Sequence, residues 1–406
     1  MSDRVILHCD CNSFFASVET VLHPEYRDVP MAVCGSQEDR HGIVLAKNEL
    51  AKKYGVKTAE TVVSAKRKCP SLVIAPPHHK EYVKYSRLVN EIYARYTDLI
   101  EPFGIDESWL DVTASRKLFG TGYDIAERIR ADVKRELGIT VSIGVSFNKA
   151  FAKLGSDYKK PDAVTVIDKS NYKEIAYPLP VSDLLFVGKR TEEGLLRMGI
   201  RTIGELAECS EDILKMRFGK AGEQLYKYSN GLDDSPVQTE REDAKSVGSG
   251  FTFRHNLTSK DEWRIGIEYL ADDVATRLRR INMKCSTVQI TIKDEYLRSV
   301  QRQKPQNPPS DLAREIADTA YKILDSEWSV YKPIRMLTVT ATGLVRDGMF
   351  MEQLDLFFEN SGNKKREKSK KREEIVDKIR QKYGNTSILN GAIINTDLGI
   401  YDKDKT

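Results

Sequence analysis

The sequence predicts an α+β chain of several domains, and three observations carry that reading. At 406 residues it has room for about three domains of roughly 150 residues each. From residue 4 to about 167, strand-like and helix-like segments follow one another as strand, excursion, helix, hairpin, helix, strand. That order describes one sheet with helices on a face, unlike the steady βα repetition of a doubly wound parallel sheet. After a strand-free helical stretch, a second strand–helix unit occupies residues 246–347.

The elements read in order as follows. "RVILHCDC" at 4–11 is apolar with β-branched members, as a buried strand would be, and "VPMAVC" and "GIVLAK" are two further strands. "NELAKKYGV" and "AETVVSAKRKCP" are short helices ended by Gly55 and Pro70. Tyr82, Tyr85, Val89, Ile92, Tyr93 and Tyr96 recur at helical spacing, which predicts a helix turning that stripe into a core. "IEPFGID" and "ESWLDVT" form the arms of a hairpin, "GYDIAERIRADVKRELGI" an amphipathic helix stopping at Gly138, "TVSIGVSFN" a strand and "KAFAKLGSDY" a helix. Residues 168 to about 236 become short helices broken by glycines, and "QTEREDAKSVG" is a charged connector. The second unit runs "GSGFTF", a long helix through "WRIGIEYLADDVATRLRRIN", strands "TVQITI" and "RSVQRQ", a helix from Leu312, and "MLTVTAT". Its two strand–helix passes of similar length suggest a small pseudo-repeat. "KKREKSKKR" should be solvated, and the helix "EEIVDKIRQKYG" is the last element the pattern predicts.

Composition narrows the function classes. Apolar residues make up 40% and charged residues 31%, as in a globular protein with real cores. The net charge of +4 is too small to imply a nucleic-acid partner unless basic residues cluster. No apolar run approaches the roughly 20 residues of a membrane span. "MSDRVILHCDCN" lacks the layout of an export signal, so a cytoplasmic location with reduced thiols is expected for the six cysteines. Cys9 and Cys11 read as strand residues, since no further Cys or His cluster completes a tetrahedral zinc set around them.

The chemistry gathers at "FGIDESWLD", residues 103–111, where Asp106 adjoins Glu107 among Phe103, Ile105, Trp109 and Leu110. Two unit charges about 4 Å apart repel by roughly 4 kcal/mol at an effective dielectric near 20, so something positive should lie between them. Asp10 ends the first strand, and a central strand and neighbouring hairpin of one sheet would bring Asp10, Asp106 and Glu107 together. Three carboxylates make an all-oxygen site suited to magnesium or manganese, and the positive charge is expected to be metal. A surface turn that happens to contain "DE" is the bland alternative.

The surrounding residues decide. "CDCNSFFASVE" at 9–19, "GIDESWLDVT" at 104–113 and "GVSFNKAFAKLGSDYKKPDAV" at 144–164 together closely resemble the Y-family translesion DNA polymerases, in the family's order, and the resemblance spans residue 4 to about 358. It implies a right-hand polymerase with a ferredoxin-like palm (1–10 and 78–167) and small fingers (11–77). A helical thumb with a helix-hairpin-helix (168–236), a linker (237–245), an α+β little finger (246–347) and a C-terminal tail (348–406) follow. It implies template-directed, low-fidelity synthesis past damaged bases, with two Mg²⁺ ions, Mn²⁺ being the substitute, held by Asp10, Asp106, Glu107 and the carbonyl of Cys11. Phe15 matches the steric gate whose ring leaves no room for a ribose 2′-hydroxyl. The amides of Ser13 and Phe14 match a phosphate cradle, and Lys160 in "KKPD" matches the triphosphate-binding lysine. Members of the DNA polymerase IV type usually carry Tyr and Arg where this chain has Glu49 and Lys52; the UmuC-like branch is similar to this chain there and at Asn12. Lys52 can meet a phosphate as a point charge, without the fork of Arg.

Further features resemble the family's means of holding DNA. "LPVSDLLFVGKRTEEGLLRMGIRTIGELA" reads helix, glycine turn, helix, with Gly188, Lys189 and Arg190 placed for a phosphate, and "RFGKAGEQLYKYSNG" is its degenerate twin. Arg277, Arg280, Arg298, Arg302 and Lys304 are candidate phosphate contacts in the second unit. Gln353, Leu354, Leu356, Phe357 and Phe358 in "QLDLFF" resemble the peptide that docks bacterial polymerases on the sliding clamp, the beta subunit. Expected partners are therefore primer-template DNA, dNTP and the clamp, for a monomer with no membrane. Two rivals are a catalytically idle DNA- and clamp-binding factor and a palm-domain nucleotide cyclase. The acidic triad argues against the first, and the hairpin-helix region and clamp-like peptide against the second.

Overall fold

β1 (Ile6–Cys11) is buried at every position, and the chain's first core is laid down around it. The computed structural model describes residues 4–36, 40, 42–240, 243–346, 361–394 and 396–400, the side chains of 361–365 and 394 excepted. Two compact units emerge: Met1–Cys34 with Ile43–Arg241, and Gly35–Gly42 with Glu242–Thr406. Among the described residues no helix is long and apolar enough to cross a membrane.

In the first unit, α1 (Phe14–Leu22) follows β1 after two residues. Then come β2 (Met31–Cys34), β3 (Val44–Lys47), α2 (Glu49–Lys53), α3 (Val62–Lys68) and β4 (Val73–Ala75). These three strands make a small sheet of order β3-β2-β4 with a minor core of its own. Helix α3 starts only at Val62, where the Thr61 hydroxyl caps it, so the predicted helix from Ala59 loses its first turn to the cap. The tyrosine stripe falls on α4 (His79–Tyr93), and Tyr82, Val89, Ile92 and Tyr93 are buried as its spacing requires.

β5 (Ile100–Pro102) and β6 (Glu107–Asp111) are the predicted hairpin. Next come α5 (Arg116–Phe119), α6 (Gly122–Leu137), β7 (Val141–Ser146), α7 (Lys149–Tyr158) and β8 (Val164–Ile167). The sheet order is β5-β6-β1-β7-β8, which puts β1 at its centre between β6 and β7. Helix α7 presses its backbone onto β7: a methyl group at Gly144 would lie 1.9 Å from the Ala152 carbonyl oxygen and 2.5 Å from the Ser156 nitrogen. Glycine is therefore required there by close approach rather than by a special φ.

The strand-free stretch holds α8 (Tyr172–Ala176), α9 (Lys189–Arg197), α10 (Ile203–Glu208), α11 (Glu211–Phe218) and α12 (Lys220–Ser229). Here the sequence reading needs a correction. Only a three-residue 3-10 turn, Val181–Asp183, precedes Gly188, because Pro180 and the apolar "LLFV" give no amphipathic turn to extend. The supposed degenerate twin has the fuller geometry, α11, Gly219, α12.

The second unit is β9 (Ser246–Leu257), α13 (Lys260–Arg280), β10 (Met283–Asp294), β11 (Ser299–Ser310), α14 (Ala313–Glu327) and β12 (Ile334–Arg346). Its antiparallel sheet has the order β11-β10-β12-β9 and closes around Trp263, Phe253 and other buried residues of α13 and α14. The two strand–helix passes of the pseudo-repeat are β9 with α13 and β11 with α14, and their strands hold the two edges of the sheet. β11 runs on through Pro305, Pro308 and Pro309, past the predicted strand, because an edge strand can spare ladder donors.

The C-terminal region departs most from expectation. α15 (Ser361–Tyr383) carries the charge-dense run, and from Arg366 onward that run is partly bonded rather than simply solvated. Arg366 donates to Glu315 Oε1 at 2.9 Å and to the Pro309 carbonyl at 2.8 Å, while nearly buried Arg279 bonds Glu373 at 2.5 Å and Asp377 at 2.6 Å. A short α16 (Gly391–Ile394) follows, and Ile393, Leu398 and Ile400 join the unit's core, where no element was predicted.

Candidate active site

The register of the central strand sets the site. Asp10 pairs with Glu107 across to β6 and with Ser142 across to β7, so two acids far apart in sequence stand side by side. Asp106 is one residue earlier, and its carbonyl accepts from the Cys11 amide at 2.9 Å. Gly104 leaves a hollow beneath both hairpin carboxylates: a methyl group there would sit 3.3 Å from Asp106 Oδ1 and 3.5 Å from Glu107 Oε1. The cysteines flanking Asp10 are buried free thiols, as read from the sequence.

What lies between the acids is, first of all, a lysine. Lys153 on α7 reaches Asp10 Oδ2 at 2.9 Å and Glu107 Oε2 at 2.7 Å. Lys160 reaches the same Asp10 oxygen at 2.8 Å and Asp157 Oδ1 at 2.7 Å. The sequence reading assigned Lys160 and overlooked Lys153 and Asp157. The signal was there: Lys153 and Asp157 lie four residues apart on α7 and Lys160 follows its end, but a lone Lys–Asp pair on a helix looks like any solvated face.

His8 was also overlooked. Its ring is fully buried on β1, with Nδ1 2.8 Å from Ser156 Oγ and Nε2 3.3 Å from Glu107 Oε2. The ring stands between the Ser156 hydroxyl and the Glu107 carboxylate, and the tautomer with its proton on Nε2 points it at the carboxylate while Nδ1 accepts from Ser156.

Electrostatics follow these contacts. Burial would raise the Glu107 carboxyl, but hydrogen bonds from His8 and Lys153 override it and hold it at about 2. Asp106 shifts the other way, raised by burial and then by the charges of Asp10 and Glu107. Burial opposes charge on Lys153 and Lys160, yet the carboxylates around each raise both. Asp106 is thus the acid whose negative charge is least compensated by the chain itself. A divalent ion fits here: hard carboxylate oxygens from two strands and an open cradle at Gly104 converge on one side of the sheet. His8, Asp10 and Glu107 offer ligand atoms all within 4.8 Å of one another.

The neighbours fall in place around β1. Asn12 ties the strand's exit to β7 and to the lysine loop, donating to Ser142 Oγ at 2.8 Å and accepting from the Asp162 amide at 2.8 Å. Ser13 adopts a left-handed φ of 47°, which turns the chain leaving β1 into α1 three residues after Asp10. The Phe15 ring stacks on Tyr82 with centroids 4.1 Å apart and an interplanar angle of 13°. The core-facing tyrosine stripe therefore also backs Phe15. Glu49 stands between Lys52, 3.6 Å from its Nζ, and the Ser13 hydroxyl at 3.4 Å, so the departure from Tyr and Arg links α2 to the Ser13 turn.

The proposed DNA contacts are exposed but not idle. Gly188 caps α9, with Lys189 and Arg190 exposed in its first turn. Arg277 donates to the Gly248 carbonyl, Arg298 pairs with Asp294, Arg302 with Glu327, and Lys304 donates to Ser326. Arg280 is exposed beside Arg279. Gln353, Leu354, Leu356, Phe357 and Phe358 lie outside the described residues.

Comparison with known proteins gives this geometry its context. The impB/mucB/samB family model matches residues 9–157 and that family's C-terminal domain matches 244–356; a DNA polymerase-iota thumb domain matches 182–233. The chain is 49% identical over 393 residues to DNA polymerase IV of Acetivibrio thermocellus, covering 96% of this chain and 98% of that one. It is 37% identical over 396 residues to DNA polymerase IV 1 of Bacillus subtilis, covering 96% and 93% respectively. A solved Y-family DNA polymerase chimera superposes with a TM-score of 0.75 at 23% identity, covering 84% of this chain and all of that one.

Proposed function

The chain belongs to the Y-family DNA polymerases, and from that premise we propose how its own residues carry out the reaction. It is a DNA-directed DNA polymerase of the translesion class. Enzymes of this family use divalent metal ions; we assign two Mg²⁺ to Asp10, Asp106, Glu107 and the carbonyl of Cys11. Bound there, they supply a lowered pKa for the primer 3′-hydroxyl and stabilisation of the departing pyrophosphate.

The remaining roles belong to the protein. Asp10 and Glu107 hold their orientation through the strand register and through His8 and Lys153. Lys160, with Lys52 across the Ser13 turn, neutralises the triphosphate, and the amides of Ser13 and Phe14 donate hydrogen bonds to its oxygens. Phe15, kept flat by Tyr82, fills the space a ribose 2′-hydroxyl would need. We assign residues 1–10 and 78–167 to the palm, 11–77 to the fingers, 168–236 to the thumb, 237–245 to a linker and 246–347 to the little finger. Gly188, Lys189, Arg190 and the basic residues of β11 and α13 track the phosphates of primer-template DNA. Residues 353–358 dock a sliding clamp, and the chain acts as a cytoplasmic monomer.

The observation that carries this reading is the pairing of Asp10 with Glu107 across β1 and β6, with Asp106 one residue away. Asp106→Ala should lower dNTP-dependent primer extension by at least about 1,000-fold, or about 4 kcal/mol of transition-state stabilisation. Affinity for primer-template should stay unchanged. Extension at the parent rate would refute the assignment, and an idle DNA-binding factor would show none even in the parent.

A further inference from the structure

One helical turn behind Phe15 lies a second cluster of ligating side chains that polymerisation does not use. Glu19 follows Phe15 by four residues on α1 and is fully buried. His78 Nδ1 sits 2.9 Å from its Oε1 and 3.1 Å from its Oε2, and the Tyr82 hydroxyl also donates to Oε1. His23 ends the same helix, and ligand atoms of Glu19, His23 and His78 all lie within 4.8 Å of one another. The two imidazole rings are 6.2 Å apart and half exposed, which leaves an entry path from solvent.

We propose that Glu19, His23 and His78 form a binding site for a borderline transition-metal ion, zinc above all, separate from the catalytic acids. The donor set is the argument. Two neutral imidazoles and one carboxylate suit zinc and its neighbours, whereas magnesium prefers oxygen ligands alone. Around a tetrahedral ion with bonds of about 2.0–2.1 Å, ligand atoms stand about 3.3 Å apart. The Glu19–His78 separations are already close to that, and His23 on its helix-terminal turn closes the third side. On binding, the ion takes the Nδ1 lone pair of His78, whose ring proton passes to Nε2 by way of water so that the imidazole stays neutral, and Glu19 turns Oε2 toward the ion. Oε1 keeps the Tyr82 hydroxyl, a partner that fixes the carboxylate's orientation. His23 stands outside the Glu19–His78–Tyr82 bonds, its Nδ1 3.4 Å from Glu25 Oε1, and would exchange that exposed contact for the ion.

The test is zinc uptake by the tag-free, metal-stripped full chain, competed against a chromophoric chelator in millimolar magnesium, with cobalt as a spectroscopic probe. One zinc per chain is expected. His23→Asn should weaken uptake by more than about 100-fold and abolish the visible cobalt bands, and Tyr82→Phe should weaken it about tenfold. Asp10→Asn should leave uptake unchanged, which separates this site from the catalytic acids. No uptake by the parent, uptake in His23→Asn as tight as in the parent, or loss of uptake in Asp10→Asn would each overturn the proposal. His23 is half exposed at a helix end, so its variant keeps the test valid even where Glu19→Gln fails to fold.

Discussion

Lys153 and Arg298 each face a carboxylate at hydrogen-bonding distance, in opposite surroundings. Lys153 has 17% of its side chain exposed and bridges Asp10 and Glu107, whereas Arg298 has 75% exposed and holds Asp294 alone. In the first place the lower effective dielectric strengthens attraction, and removing one partner strands a charge. In the second, water and salt screen the pair, so the guanidinium changes partner at little cost. The same contact thus fixes the orientation of the acids around Asp10 and leaves a guanidinium beside β11 able to exchange its partner.

The comparison is broken most visibly at the gate. Phe15→Val should lose about 100-fold of the discrimination between dNTP and rNTP, read from the ratio of kcat/KM values, because a packed ring is replaced by space. Ratios within twofold of the parent would mean the stack on Tyr82 has no bearing on sugar selection. Lys153→Met comes next. In chelator its stability should fall by about 1–3 kcal/mol, a buried-pair loss discounted for partial exposure, measured by urea unfolding. Magnesium should then recover more stability in the variant than in the parent, since ion and ammonium share the same oxygens. Equal recovery would show that they do not compete.

Acid sharpens the same point. Because Glu107 sits at about 2 in the fold against an ordinary 4.5, its interactions stabilise the protein above pH 4.5. That gain disappears as pH falls toward about 2, so the gap in urea midpoint between parent and Lys153→Met should close over that window. A gap independent of pH would place the effect of Lys153 in packing. At the exposed end, Arg302→Ala with Lys304→Ala should reduce the log–log salt slope of primer-template binding by about 1 per residue. Arg298→Ala should move stability by less than about 0.5 kcal/mol, and a larger change would undo the contrast drawn above.

The sequence made legible what is local or periodic. The tyrosine stripe of α4, the β5–β6 hairpin and the strand ending in Asp10 follow from spacing and burial, and the acids stand out because apolar neighbours surround them. Lys153 escaped because a lysine on an amphipathic helix looks solvated until the helix is docked. His8 escaped because a lone histidine in an apolar strand has no pattern. Leu398 and Ile400 escaped for a related reason: two isolated apolar residues in polar company reveal nothing until Arg254 on β9 donates its amide to the Leu398 carbonyl at 3.1 Å. The stretch before Gly188 reads as a full helix and forms only a three-residue 3-10 turn, because Pro180 and the apolar "LLFV" offer no amphipathic turn to extend it.

Gly144 is an interior position, yet the reach of the Lys153 ammonium is set there. Lys153 rides on the slab that starts at Lys149, Lys160 follows just past the slab's end, and that slab is seated directly on the sheet only because one position carries a hydrogen instead of a methyl. Alanine at 144 would wedge the slab outward, drawing Lys153 back from the acids and displacing the stretch behind it that carries Lys160. Such an allele would express a folded protein that still grips DNA and starves for nucleotide, a silent lesion in the interior mistaken for a defect at the surface.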